Sequence, residues 1–203
     1  MAKVTKKLFV RWFILFYVLA FAIIAYLSHN HEFLYYSLIY LLLLLFVYVI
    51  QRKYRFSLQL PGTLLLGFAL FAFAHFAGGL FSVHGTKLYD LSFGFLHYDN
   101  LVHAFGAFLV TIASFNLIFP YLHDTIRSRR LYLLVLLVFI SLGIGSLNEN
   151  LEFSAVLFLK YTGVGNYFNN AWDLVYNLIG SLVACLVITI FLLNKKLLKI
   201  ESL

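Results

Sequence analysis

Six apolar stretches, each close to the length that crosses a bilayer, leave few folds open to this chain. A helix needs about 20 apolar residues to cover the ~30 Å hydrocarbon core. Such stretches fall at about residues 8–27, 33–50, 62–83, 98–122, 131–157 and 169–193. In hydrocarbon every backbone N–H and C=O must be satisfied within the structure, so the stretches are expected to be helical. Composition agrees: 63% of residues are hydrophobic and 11% charged, where soluble domains carry about 25% charged residues. The connections are too short for a soluble module. The expected fold is therefore all-α: a polytopic transmembrane bundle of six helices, one integral membrane domain over residues 1–203.

Charge placement orients this bundle. One side holds Lys3, Lys6, Lys7 and Arg11, then Arg52, Lys53 and Arg55, then Arg127, Arg129 and Arg130, and finally Lys195, Lys196 and Lys199. The other side has Lys87 and Lys160. Cytoplasmic loops carry the positive excess, so both termini are expected in the cytoplasm and the protein in the cell membrane, as a multi-pass inner or cytoplasmic membrane protein. The formal charge of +7 thus reads as an orientation signal, with no nucleic-acid partner implied. The first stretch is too long for a signal peptide, and Tyr26-Leu27-Ser28-His29-Asn30 offers no small-x-small cleavage site, so it is read as a retained helix. The single cysteine, Cys185, excludes an internal disulfide and a cysteine-based zinc site.

Small residues let helices approach closely in lipid. The first two stretches lack glycine, whereas Gly67, Gly78, Gly79, Gly106, Gly143, Gly145 and Gly180 fall in the last four. The expectation is a core of helices three to six, with one and two nearer the lipid.

The ionisable residues segregate in the same way. Asp99 and His103 share a helical face with Gly106; Glu149 and Glu152 with Ser141 and Gly145; Asn169, Asp173 and Asn177 with Gly180; His75 with Ala72 and Gly79. All lie in the outer-leaflet halves of their helices if the termini are inside. Four close carboxylates cannot all stay charged without a counter-cation, because like charge and burial both disfavour ionisation. A divalent metal, protonation of some acids in a relay, or a wet vestibule would each resolve the conflict. Carboxylate and imidazole donors suit zinc, manganese or iron. The candidate ligands are Asp99, His103, Glu149 and Asp173; the candidate catalytic groups are Glu149, Glu152 and His103; His75, Asn169 and Asn177 are supporting. His29, His31, His84, His97 and His123, in or near loops, are expected to be solvated.

Read in order, His97-Tyr98-Asp99-Asn100-Leu101-Val102-His103-Ala104-Phe105-Gly106, Glu149-Asn150-Leu151-Glu152 and Asp173-Leu174-Val175-Tyr176-Asn177-Leu178-Ile179-Gly180 resemble the YjdF-like family of bacterial inner-membrane proteins. That family shows YD-x-x-x-H-x-x-G, E-x-x-E and D-x-x-x-D-x-x-x-N-x-x-G segments. A looser resemblance is to the VanZ-like family. The resemblance covers about residues 84–190 and implies a membrane bundle without assigning a reaction. Asn169 stands where the family pattern has its first aspartate, and an amide is the poorer metal ligand.

Three functions compete. The leading one is a membrane-embedded enzyme, possibly metal-assisted, acting on a lipid or lipid-linked envelope substrate, with membrane lipids as partners. A proton- or cation-coupled transporter would use the same residue types, but few polar groups occupy the inner helix halves and no inverted repeat is evident. An interaction or assembly protein would need polar stripes only to lock helices together.

Overall fold

The computed structural model describes residues 2–53, 60–94 and 96–193, with the side chains of residues 2–11 and 192–193 outside the description. Its helices are α1 (Ala2–Leu27), α2 (His31–Lys53), α3 (Gly62–Leu80), α4 (Tyr98–Ile118), a short α5 (Asp124–Ser128), α6 (Arg130–Phe158) and α7 (Tyr167–Val187). A 3-10 turn, Phe119–Tyr121, extends α4, and a π-helical segment, Ile188–Leu193, extends α7. Among the described residues five helices are long and apolar enough to cross a membrane: α2, α3, α4 with its extension, α6, and α7 with part of its extension; in α1 the shorter apolar segment Trp12–Leu27 is described.

The connection between α3 and α4 departs from the all-α expectation. The third stretch stops as a helix at Leu80, and Ser82–Val83 (β1) pairs antiparallel with Thr86–Lys87 (β2). His84 and Gly85 both take positive φ between them, the requirement of a two-residue hairpin turn whose twist matches its strands. A second hairpin, Ser92–Phe93 (β3) with Leu96–His97 (β4), turns at Gly94. The segment folds back onto α3 through Tyr89 N–H to the Gly78 carbonyl at 3.1 Å. Asn100 closes the start of α4 by accepting from the His97 N–H at 3.2 Å, and Asn166 caps α7 by accepting from the N–H groups of Phe168 and Asn169 at 3.0 and 3.2 Å.

Lipid tails are as apolar as leucine, so hydrophobic burial does not drive helices together in a membrane; close packing and interhelical hydrogen bonds do. The closest approach joins α4 and α7, where a Cβ on Gly180 would overlap the Ala104 carbonyl oxygen, one residue from His103. Gly145 of α6 lies against the Asn177 side chain of α7. Ser141 of α6 donates to the Ala107 carbonyl of α4 at 3.1 Å, a class of bond worth about 0.6 kcal/mol. These contacts clamp α4, α6 and α7 around the residues that the sequence singled out.

Glycine content is an incomplete guide to the core. Gly62 and Gly143 border open space, and α6 leaves most of its surface exposed. Conversely α1, without glycine, buries Tyr17, Val18, Phe21 and Ala25 against α3, and the first turns of α2 bury Glu32, Phe33 and Ser37. Aromatic rings fill these interfaces: Phe21 stacks on Phe76 at 5.3 Å between centroids, and Phe33 packs edge-on to Phe76 at 6.2 Å.

Candidate functional site: an imidazole ringed by carboxylates

His103, on α4, is the hub. Its Nε2 lies 3.5 Å from Asp99 Oδ1, one turn back on the same helix, and 3.7 Å from Asp173 Oδ1 of α7. Its Nδ1 lies 3.6 Å from Glu149 Oε1 of α6. Glu152, one turn beyond Glu149, completes a set in which one donor atom each from His103, Glu149 and Glu152 lies within 4.8 Å of the others; Asp99, His103 and Asp173 form a second such set. The structure therefore brings together all five ionisable residues of the predicted cluster.

Asparagines hold these acids from outside. Asn169 Nδ2 donates to Asp173 Oδ2 at 2.8 Å and Asp99 Oδ2 at 3.4 Å. Asn170 Nδ2 donates to Glu149 Oε2 at 2.5 Å, and Asn148 Nδ2 to Glu152 Oε1 at 2.9 Å. Asp99, Asp173 and Glu149 are thus gripped through one oxygen and present the other to the imidazole. Asn169 is therefore an orienting donor beside two acids, the outer-shell role that fixes ligand geometry in metal sites. Asn177 is buried on the same α7 face, against Gly145.

Two of the presented oxygens, Glu149 Oε1 and Asp173 Oδ1, are buried and accept no hydrogen bond among the described residues. Glu149 is 8% exposed and Asp173 0%. The distances to the ring nitrogens exceed the 2.7–3.2 Å of an N–H···O bond. They are close to the separation of two ligands on one tetrahedral ion: with bonds of about 2.1 Å, that separation is about 3.4 Å. The donors present, oxygens and imidazole nitrogens, fit a divalent ion of the zinc or manganese type.

The five residues do not line one common cavity; they form a partition between several. Asp99 and Glu152 face a cavity of about 320 Å³ at the end of the bundle, lined also by Glu32, Tyr36, His75, Tyr89, Asp90 and His97, with no lysine or arginine among the described residues lining it. His103 borders a smaller cavity of about 120 Å³ deeper among α3, α4, α6 and α7. Glu149 opens instead onto a groove of about 550 Å³ between α6 and α7, lined by Phe153, Val164, Tyr167 and Asn170. Asp173 is sealed because α4 and α7 approach too closely to leave a void.

His75 belongs to the wall, away from the hub. Its Nδ1 is hydrogen-bonded to the Tyr89 hydroxyl at 2.5 Å, and it borders both the 320 Å³ and the 120 Å³ cavities. Tyr89 lies in the connection outside the helices, and burial, followed by the Asp99 charge, pushes its phenol well above the usual range. His97 is exposed as expected, yet it also lines the 320 Å³ cavity.

Sequence reading missed Glu32. It is 7% exposed, accepts from the Gly163 N–H at 2.5 Å and from the Tyr36 hydroxyl at 3.3 Å, and so ties the α6–α7 connection to α2. The available signal was Tyr36 one turn on, which puts a donor on the same face.

The family model described as Predicted membrane protein (DUF2238) matches residues 9–194. The chain belongs to this family of predicted membrane proteins. It is the YjdF family to which the motifs of α4, α6 and α7 pointed, and the match extends over α1–α3 as well; nothing supports the VanZ-like resemblance. No curated protein and no solved structure matches the chain.

Proposed function

We propose that the protein is a metal-assisted membrane enzyme acting on a lipid or lipid-linked envelope substrate in the outer leaflet. One observation carries this reading: buried, unpaired carboxylate oxygens of Glu149 and Asp173 converge on one imidazole at co-ligand distances. Asp99, His103 and Asp173 hold the ion, which supplies Lewis-acid activation of a substrate oxygen or water. Glu152, facing the 320 Å³ cavity, is the base, and Glu149, 3.6 Å from Nδ1, supplies a negative charge on the other side of His103.

The orientation belongs to the same proposal: six spans, α1 included, with both termini cytoplasmic. Among the described basic side chains, Arg52, Lys53, Arg127, Arg129 and Arg130 gather at the end opposite the cluster; Arg55, Lys195, Lys196 and Lys199 lie outside the described residues, as do the side chains of Lys3, Lys6, Lys7 and Arg11. The cluster end then faces outward. Transport is less well supported. Deeper than His103, the bundle is filled by Phe115, Phe119, Leu133, Leu137 and Ile188, and Thr111 and Asn116 bond carbonyls of their own helix.

The test uses proteoliposomes made from envelope lipids, supplied with manganese or zinc and followed by mass spectrometry of the lipids. A lipid species should be converted by the wild type and left intact by His103→Ala or in chelator. A metal-loaded wild type that leaves every lipid unchanged, while carrying cations across the vesicle, would replace the enzyme by a transporter.

A further inference from the structure

The imidazole of His103 is approached by acids at both nitrogens, and one divalent ion accounts for only one side. Asp99 and Asp173 stand at Nε2, and Glu149 at Nδ1 with Glu152 beside it. Each side has its own buried oxygen without a hydrogen bond, Asp173 Oδ1 on one and Glu149 Oε1 on the other. A single ion at Nε2 would satisfy the first and leave the second.

Charge points the same way. The four carboxylates sum to four negative charges when ionised, and the cavities that meet at His103 and His75 have no lysine or arginine among the described residues lining them, the Lys87 ammonium standing outside, beside Gly163 and Glu32. One divalent ion leaves a surplus of two. Two divalent ions bring four positive charges against the four carboxylates and the one negative charge of a bridging imidazolate, leaving a single negative charge. Burial favours the smaller surplus, because an uncompensated ion in a low-dielectric site is far more costly than one in water.

We infer that His103 bridges two divalent cations, one held with Asp99 and Asp173 and a second with Glu149 and Glu152. This rests on the metal reading proposed above and fixes the number of ions and their ligands. Both ring nitrogens become ligands only when the imidazole gives up its N–H proton, which leaves for solvent; metal binding at imidazole is a proton-releasing reaction in general. The bridged ions stand about 6 Å apart, the ring lying between two bonds of about 2.1 Å. With the second ion in place, Glu152 changes from base to ligand, and activating water falls to the cations.

The full-length protein in detergent, stripped with chelator, reloaded with manganese(II) and desalted, provides the test by elemental analysis and EPR. Wild type should hold two manganese ions per chain with a spin-coupled spectrum. The double variant E149Q/E152Q should hold one, with the sextet of an isolated ion, and D99N/D173N should also hold one. A wild type with a single ion, unchanged in E149Q/E152Q, would overturn the bridge while leaving the mononuclear site standing. Two uncoupled ions would overturn the bridge as well. A wild type that holds none would remove both readings. Should the double variants aggregate on size exclusion, the wild-type count and spectrum decide alone.

Discussion

The α4–α7 contact at Gly180 sets the geometry of the cluster, and alanine substitutions at three glycines test this quantitatively. At Gly180 the added Cβ meets the Ala104 carbonyl, a backbone atom that cannot rotate away. Overpacking costs about 1–3 kcal/mol, and a backbone neighbour places Gly180→Ala near about 3 kcal/mol. Alanine's better helix propensity returns up to about 1 kcal/mol, leaving a net loss of about 2 kcal/mol. At Gly145 the Cβ meets the Asn177 side-chain amide at 2.7 Å, which is able to shift; there the two effects nearly cancel, within about 1 kcal/mol. At Gly143 nothing lies within 4 Å, so only the propensity gain of up to about 1 kcal/mol remains. For a chain of this size, 1 kcal/mol moves Tm by about 2–4 °C. Thermal unfolding in detergent should therefore rank Gly180→Ala about 4–8 °C below wild type, Gly145→Ala near it and Gly143→Ala at or above it. Only Gly180→Ala should also weaken manganese binding, since it displaces His103 from Asp173. Equal melting of Gly180→Ala and wild type would refute the reasoning, as would an equal loss at Gly143.

Three further outcomes follow from other contacts. Glu32→Gln should loosen the α6–α7 connection by about 1 kcal/mol, the difference between hydrogen bonds to charged and to neutral acceptors, read as faster amide exchange at Gly163; unchanged exchange there would show the tie to be dispensable. Tyr89 should not ionise in the ordinary phenol range, because burial raises its folded-state value. The contribution of its protonated form is fully present below the unfolded value of about 10 and is lost as pH rises through the folded one. Ultraviolet titration of wild type against Tyr89→Phe checks this, and a normal phenol titration for Tyr89 would contradict the burial. Reporter fusions after Lys87 and Lys160 should read external, and a cytoplasmic signal at either would reverse the orientation.

Helical periodicity made the hub legible. Asp99 and His103, Glu149 and Glu152, and Asn169, Asp173 and Asn177 each occupy one face of a straight helix, so spacing alone placed them together. The partitioning of cavities was not legible, because it depends on how closely α4 and α7 approach at Gly180. Glu32 was hidden by its surroundings: it follows His29, Asn30 and His31 in the first turn of α2 and looks like part of a solvated loop. Its partner, Gly163, is 131 positions away. Tyr89 was hidden for a related reason. Only the folding back of the two hairpins brings it to His75, and although His84-Gly85 and Gly94 carry the turn signals, they do not say where the connection lands. Asn169 looked like a weakened ligand because sequence shows only residue type; the structure gives it two acids to orient.

The hub has a consequence for how the protein is made. Its members are spread from α4 to α7, and Asp173, on α7, is synthesised after Asp99, His103 and Glu149. While the chain is still emerging, Asp99 and His103 can be inserted without Asp173, and Glu149 without the amide of Asn170. On the metal reading proposed above, the ion held with Asp173 has no complete site until α7 has entered the membrane and Gly180 has docked on Ala104. On that reading its loading is a post-insertion event, drawn from the compartment that the completed cluster faces rather than from ions met during translation. A chain ending at Asn166 should accordingly insert α1–α6 and lack the ion held with Asp173, whereas retention of two manganese ions by that fragment would place loading earlier in biogenesis.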